Sequence, residues 1–290
     1  MSKGTILLLA RYRLLISRMV LGYAFLFLLV RWAEHLLPYQ LLQPPMARTG
    51  YDMTAWFFKL SGLSWWLVEN PLGAKAFTVL LLLSGLLAFC FPKERWFVIP
   101  FSIFYFFYSV CFNLYLTHAA HLNAMMVWAL FACWPRKDTD FAWLWLGFRY
   151  YACWAFGSTF LMKLVNGAFW QWDFGLLATQ ANQADFLFHF PDTWQADVYS
   201  WLFRHPFLLN LGAKILMLAE GCFIIGFFTR GADRLLLVLA FFILLLTFLF
   251  AEVFFAEMLV MVLAFFPLRW WARLWLLTTP GSIHKFFTSS

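Results

Sequence analysis

The stretch Phe148-Arg149-Tyr150-Tyr151-Ala152-Cys153-Trp154-Ala155-Phe156-Gly157-Ser158-Thr159-Phe160-Leu161-Met162-Lys163 decides how the rest of the chain is read. It is apolar enough to enter a bilayer, yet it carries Arg149 in its first third and Lys163 at its far end. An ionisable side chain inside a membrane span is costly, so it calls for a partner or a task. The next residues, Leu164-Val165-Asn166-Gly167-Ala168-Phe169-Trp170-Gln171-Trp172-Asp173-Phe174-Gly175, form a Trp-rich polar break. Set between an apolar helix and that break, Lys163 is the strongest single pointer to function.

Outward from this stretch the composition is extreme. Hydrophobic residues make up 64% of the chain and charged residues 12%, where soluble domains carry roughly 25% charged residues. Apolar runs at 76–91, 97–115, 235–250 and 253–267 approach or reach the ~20 residues that cross a bilayer. The sequence therefore predicts an all-α, polytopic membrane helical bundle. The net charge of +7 is scattered among short loops and forms no stripe, so nucleic-acid binding has no support. The basic N-terminus (Lys3, Arg11, Arg13) runs into an apolar stretch reaching Val30 without a small-residue cleavage site, and reads as an uncleaved first span. Cys90, Cys111, Cys133, Cys153 and Cys222 all fall in apolar runs without Cys-x-x-Cys spacing, as buried small hydrophobes do.

Hydropathy and flanking charge predict about eight transmembrane helices, at roughly 13–33, 74–91, 96–117, 119–135, 141–165, 208–229, 234–250 and 253–275. Placing the N-terminus inside puts a basic cluster at every inner turn, among them Lys93 and Arg95, Arg136 and Lys137, and Arg230 and Arg234. Both termini are then cytoplasmic. The helices divide into two sets of four with one plan, about 1–137 and 138–280, within a single membrane domain that ends in a tail at 281–290. Two parallel repeats related by an axis along the membrane normal give that pattern. So does any eight-helix protein with short inner loops.

Two long outer segments, about 34–73 and 166–207, are rich in Trp and Phe: Trp56, Trp65 and Trp66 in the first, Trp170, Trp172, Trp194 and Trp201 in the second. Trp favours the headgroup region, so short interfacial helices roofing a cavity are expected there. Trp170 and Trp172, next to Lys163, are the candidates to line a bound lipid-like molecule.

In this topology several polar groups share one level. Lys163 is about 33 Å along a helix starting near Phe141, at 1.5 Å per residue, which places it near the outer boundary. His118 and His121 flank the turn between the third and fourth helices, Glu252 and Glu257 the turn between the seventh and eighth, and Lys214 lies two turns into the sixth. A lysine amine withdrawn from water shifts toward its neutral form, which suits a general base. Lys163, His121, His118, Glu252 and Glu257 are thus the candidate catalytic set. The alternative is that Lys163 and Lys214 snorkel to outer headgroups. The i, i+3 pair His118 and His121 with a glutamate could hold zinc, but no third ligand is fixed by spacing, and no metal is expected. A serine hydrolase is excluded by the lack of a Gly-x-Ser-x-Gly elbow. Deeper in the membrane, Arg149 and Glu220 match in depth and are expected to pair structurally, while Arg18 reaches inner headgroups or the same network.

The segment Phe160-Leu161-Met162-Lys163-Leu164, followed by Trp172 and Gly175, resembles the G-x-x-K-L…W-x-x-G signature of the HTTM superfamily, which contains the vitamin K-dependent gamma-glutamyl carboxylases. Arg18-Met-Val-Leu-Gly22 is similar to the family's first-helix R-x-x-x-G. Leu218-Ala219-Glu220 with Phe227, Phe228 and Arg230 is similar to its later L-E…R helix end. The four-plus-four plan and the Lys-Leu pair also resemble DoxX-type four-helix proteins. The resemblance implies that Lys163 occupies the place of the base that begins oxidation of the reduced vitamin. It departs from the pattern at Phe160, where the family has Gly; at Ala120-His121, where it has Asn-His; and at Thr247, where it has His. With no large extramembrane domain, the chain is not expected to be a true gamma-carboxylase.

Two functions follow from the sequence. The first is a membrane enzyme or redox accessory that binds a quinol or other isoprenoid lipid, with Lys163 as base. The second is a non-catalytic membrane subunit or assembly factor gripping a protein partner or a second copy of itself. No Gly/Pro-broken helix pair marks a transporter's midplane site.

Overall fold

The computed structural model describes residues 3–41, 53–115, 123–251 and 258–278, and among them every regular element is helical. The chain forms two compact units, one from residues 1–148 with 256–290 and the other from 149–255. Four helical segments are long and apolar enough to cross a membrane: Arg13–Gln40, Pro71–Cys90, Arg95–Phe112 and Pro206–Phe227. These fit a membrane protein.

In the first unit, α1 (Lys3–Arg11) leads into α2 (Arg13–Ala33), and α3 (Met53–Leu60) and a π-helical turn (Trp65–Glu69) precede α4 (Pro71–Cys90). The antiparallel partner α5 (Arg95–Tyr115), then α6 (Asn123–Ala132) and the start of α7 (Asp138–Val165), complete its main body. On α2, Ile16, Val20, Ala24, Phe27 and Leu28 are buried at helical spacing, and α4 meets them with Ala74, Phe77, Leu81, Gly85 and Ala88. The opposite faces are just as apolar: Leu26, Val79 and Leu83 are at least half exposed. A helix apolar all round belongs in a large core or in lipid, and among the described residues nothing covers Leu26, Val79 or Leu83.

Local chemistry sets the helix limits. The Asn70 side chain accepts from the backbone N–H groups of Leu72 and Gly73, at 3.0 and 3.2 Å, and Pro71 occupies the first turn, where its missing N–H costs nothing. Pro100 lies inside α5, which membrane helices tolerate when neighbours re-satisfy the backbone. The predicted last span at 253–275 is broken instead into α12 (Leu259–Ala264) and α13 (Leu268–Thr278). Pro267 lacks an N–H and its ring clashes with the preceding turn, so one helix ends and another starts. Residues 253–257 of that predicted span lie outside the described residues.

The second unit holds the rest of α7 from Arg149, then α8 (Phe174–His189), α9 (Trp194–Arg204), α10 (Pro206–Gly221) and α11 (Asp233–Ala251). Between α10 and α11 the chain tightens into a 3-10 segment, Cys222–Phe227. Helix α8 packs on α10 and α11, and α9 on α8 and α10, so the Trp-rich segment at 166–207 is largely helical and anchored. At 28 residues α7 is long, but its Trp, Tyr and Arg149 lower its hydropathy and it is not one of the four apolar segments.

Gly73 tests the packing of the first unit. A Cβ there would sit 2.0 Å from the Trp66 carbonyl oxygen, part of the π-turn backbone that cannot swing aside. Gly147, in α7, has open space around the same position. Gly73→Ala is expected to destabilise by about 1–3 kcal/mol, whereas Gly147→Ala is neutral or stabilising by up to ~1 kcal/mol. Thermal unfolding of both variants in detergent measures the difference.

Candidate functional site

Helices α7 and α10 run antiparallel, and a ladder of contacts fixes their register. The Phe156 and Phe223 rings lie 4.3 Å apart. A Cβ on Gly157 would meet Ile224 at 3.2 Å, and one on Gly221 would meet the Phe160 ring at 3.1 Å. At Gly226 the approach is closest, since a Cβ would overlap Cys153 Sγ at 2.4 Å. Small residues thus let the 3-10 segment lie directly on α7.

An ionic contact closes each end of this ladder. At one end Arg149, 1% exposed, donates Nε and Nη2 to one carboxylate oxygen of Asp233, Nη1 to the Gly226 carbonyl and Nη2 to the Thr229 carbonyl. Arg230 donates to the other oxygen of Asp233 at 3.1 Å. Asp233 is also the first residue of α11, where the helix dipole favours a negative charge. At the other end Lys163 Nζ donates to both oxygens of Glu220, at 2.7 and 2.8 Å. The Glu220 side chain is 7% exposed and that of Lys163 26%.

The expected Arg149–Glu220 pair is therefore not formed. Arg149 takes Asp233 instead, and Glu220 takes Lys163. The depth match counted residues from assumed helix ends at 141 and 229. The observed ladder instead sets Phe156 against Phe223 and Phe160 against Gly221, which leaves Glu220 level with the Lys163 end of α7 and Arg149 level with Gly226 and Asp233.

Beyond Lys163 the polar break folds into a compact turn. Gly167 takes a left-handed backbone (φ 81°), as a residue just past a helix end often does. The Phe169 N–H donates back to the Lys163 carbonyl at 3.1 Å. From α10, Lys214 Nζ donates to the carbonyls of Ala168, Phe169 and Gln171, at 3.0, 2.5 and 2.7 Å. Three backbone acceptors of the turn thus share a single ammonium, so Lys214 is tied to the polar break itself. Asn210 Oδ1, also on α10, accepts from the Leu176 N–H and ties down the start of α8.

The aromatic groups gather round this turn. Phe169 lies edge-on to Phe160 and to Trp170, and Lys214 sits 5.5 Å from its centroid. The Trp170 ring is 72% exposed; Trp172 is 53% exposed and tilted against Phe207 at 5.9 Å. Both candidate ligand-lining tryptophans therefore project from the turn next to the Lys163–Glu220 pair. The other predicted site residues, His118, His121, Glu252 and Glu257, lie outside the described residues. Thr247, where the family pattern has His, donates to the Ile243 carbonyl of its own helix at 2.7 Å. Arg18 is exposed on α2.

Sequence reasoning singled out Lys163 but missed Glu220 as its partner and Asp233 altogether. The signal for Asp233 was present: an acidic residue opening a helix, between Arg230 and Arg234. The chain matches no family model, no curated protein and no solved structure.

Asp233→Asn keeps the shape of the Arg149 site and removes its charge. Breaking a buried pair from one side typically costs 3–5 kcal/mol, because the remaining charge is left without compensation. A loss of about that size is expected for Asp233→Asn, against less than ~0.5 kcal/mol for Arg18→Gln at an exposed position. Thermal or denaturant unfolding in detergent reads both.

Proposed function

We propose that this is an integral membrane protein of the HTTM, gamma-carboxylase-like type, which binds or acts on a quinol or other isoprenoid-like lipid with Lys163 as the base. The observation that carries the reading is the amine of Lys163, held by both oxygens of a buried glutamate while a quarter of its side chain stays accessible. Such a pair can share one proton. When the carboxylate keeps it, the amine is neutral and takes the proton of a quinol hydroxyl: the O–H bond breaks, an N–H bond forms, and the quinolate stays beside the ammonium. An arginine in that place cannot do this, because its guanidinium is always charged.

The surroundings favour a flat, apolar ligand. Phe160, Phe169 and Trp170 line the turn beside the pair, and Lys214 fixes the turn's backbone. The reading includes about eight spans, a DoxX-like four-plus-four plan, an outer-leaflet site and cytoplasmic termini. His118, His121, Glu252 and Glu257 are its proposed helpers, and Trp170 and Trp172 its ligand-lining rings.

A second reading has its own observation. Phe188, Phe190 and Trp194, around the α8–α9 link, are 80%, 56% and 71% exposed. A cluster of this kind fits a non-catalytic subunit or assembly factor that grips another membrane protein, since exposed aromatic patches mark interaction surfaces.

The protein purified from its membranes, extracted into organic solvent and analysed by mass spectrometry, is expected to carry an isoprenoid quinone. Lys163→Ala and Glu220→Gln are expected to lose at least tenfold of it, and Lys163→Arg to leave it unrestored. A wild type free of quinone that keeps a stoichiometric protein partner, with the partner indifferent to Lys163→Ala, overturns the first reading and favours the second.

A further inference from the structure

One end of the first unit gathers more basic than acidic side chains: Arg11, Arg13, Arg136, Lys137, Arg269 and Arg273 against Asp138 and Asp140. Arg13, at the start of α2, draws this end together: its guanidinium donates to the carbonyls of Pro135 and Arg136 and to Asp138. That consumes Asp138 and leaves Arg136 and Lys137 exposed on the link between α6 and α7. Helix α1, which leads into α2, packs against α13, and the Arg11 guanidinium lies 5.0 Å over the Trp275 ring. Arg269 and Arg273 are exposed one turn apart on α13, with Trp271 buried on the opposite side at 1% exposure. Among the described residues none of Arg136, Lys137, Arg269 and Arg273 forms an ion pair.

The same helix pair also exposes apolar side chains. On α1, Leu7 and Leu8 are 65% and 38% exposed, and Leu7 shares a face with Arg11, one turn on. A fully solvated element has no use for exposed leucines beside cations, and a membrane span has no use for exposed arginines. An element at the headgroup–acyl boundary has use for both: leucine and tryptophan enter the acyl edge while arginines meet phosphates. The Pro267 break supplies the geometry, because it separates α12 from α13 and lets α13 run as a helix of its own. Guanidinium groups suit phosphodiesters, which they can hold with two parallel hydrogen bonds.

We propose that the α1–α13 pair, with the 135–137 link, is a binding collar for anionic phospholipid headgroups, taking a phosphodiester of the phosphatidylglycerol or phosphatidylserine kind in preference to a zwitterionic lipid. Arg269 and Arg273 hold the phosphate, and Leu7 and Leu8 rest among the acyl chains. This surface is built from other residues than the Lys163–Glu220 pair and does not depend on the function proposed for it.

The test uses the full-length protein in detergent, titrated with phosphatidylglycerol, phosphatidylcholine or inorganic phosphate while its thermal unfolding is followed. Phosphatidylglycerol is expected to raise the midpoint, with no comparable shift from the other two. Each basic residue at a lipid surface is worth about fivefold in affinity (~1 kcal/mol), so Arg269→Gln with Arg273→Gln should weaken the phosphatidylglycerol response by about 25-fold without moving the lipid-free midpoint. An unchanged response in that variant, or an equal shift from phosphatidylcholine, overturns the proposal; an equal shift from inorganic phosphate assigns the cations to a free anion and overturns it too. Native mass spectrometry of the unaltered protein needs no variant. It is expected to retain phosphatidylglycerol over phosphatidylcholine by about tenfold from an equimolar mixture, and equal retention contradicts the collar.

Discussion

The Lys163 ammonium gives hydrogen bonds to both oxygens of Glu220, whose carboxylate is buried while part of the lysine side chain stays accessible. Together with the Arg149–Asp233 pair further down the same helix, it sets how the second unit is assembled. Desolvating an ion costs several kcal/mol even after relaxation, and only a close, well-oriented counter-ion returns that energy. Sliding α10 by one turn along α7 would strand charges at both ends of the ladder at once. Apolar packing alone permits such slippage, because leucine and phenylalanine contacts are nearly interchangeable and lipid is as apolar as the partner helix. Charge pairs therefore set the register, and Gly221 and Gly226 let the backbones come close enough for it.

That account explains which parts of the molecule were legible in the sequence. Helix positions could be read because hydrophobic runs and basic turns leave a strong signal: α2, α4, α5 and α11 fall close to the predicted ranges. The prominence of Lys163 was also legible, since a lysine at the end of an apolar run is conspicuous wherever it points. The pairing was not. Depth was counted from assumed helix ends, and only the side-chain contacts between α7 and the 220–226 stretch fix which residues lie level with each other. Pro267 was visible in the sequence but sat within an apolar run, and the run outweighed the proline until the backbone showed α12 and α13 as separate helices. The anchoring of the polar break by Lys214 had no sequence signal at all. It depends on three carbonyls that the Gly167 turn presents to one side chain, and backbone acceptors have no letter in a sequence.

The two units put their polar groups to different uses. In the first, the buried interior is largely apolar with a few serines and a threonine, and Arg136, Lys137, Arg269 and Arg273 are exposed without ion pairs among the described residues. In the second, titratable groups are paired inside the fold, and one pair keeps a quarter of its lysine accessible. A purely structural ion pair gains nothing from such access, whereas a proton-transfer site requires it. The proposal made for Lys163 rests on this accessibility and on the aromatic turn beside the pair.

The claim on which all of this stands is that Lys163 and Glu220 interact directly, and a double-mutant cycle measures that interaction without reference to any substrate. Unfolding free energies of the wild type, Lys163→Met, Glu220→Leu and the double variant, taken in one detergent, give the coupling energy. Each single variant is expected to be destabilised and the double variant to recover part of the loss, with a coupling of about 1–3 kcal/mol. Losses that simply add, with a coupling below ~0.5 kcal/mol, would contradict the α7–α10 register and the site built on it.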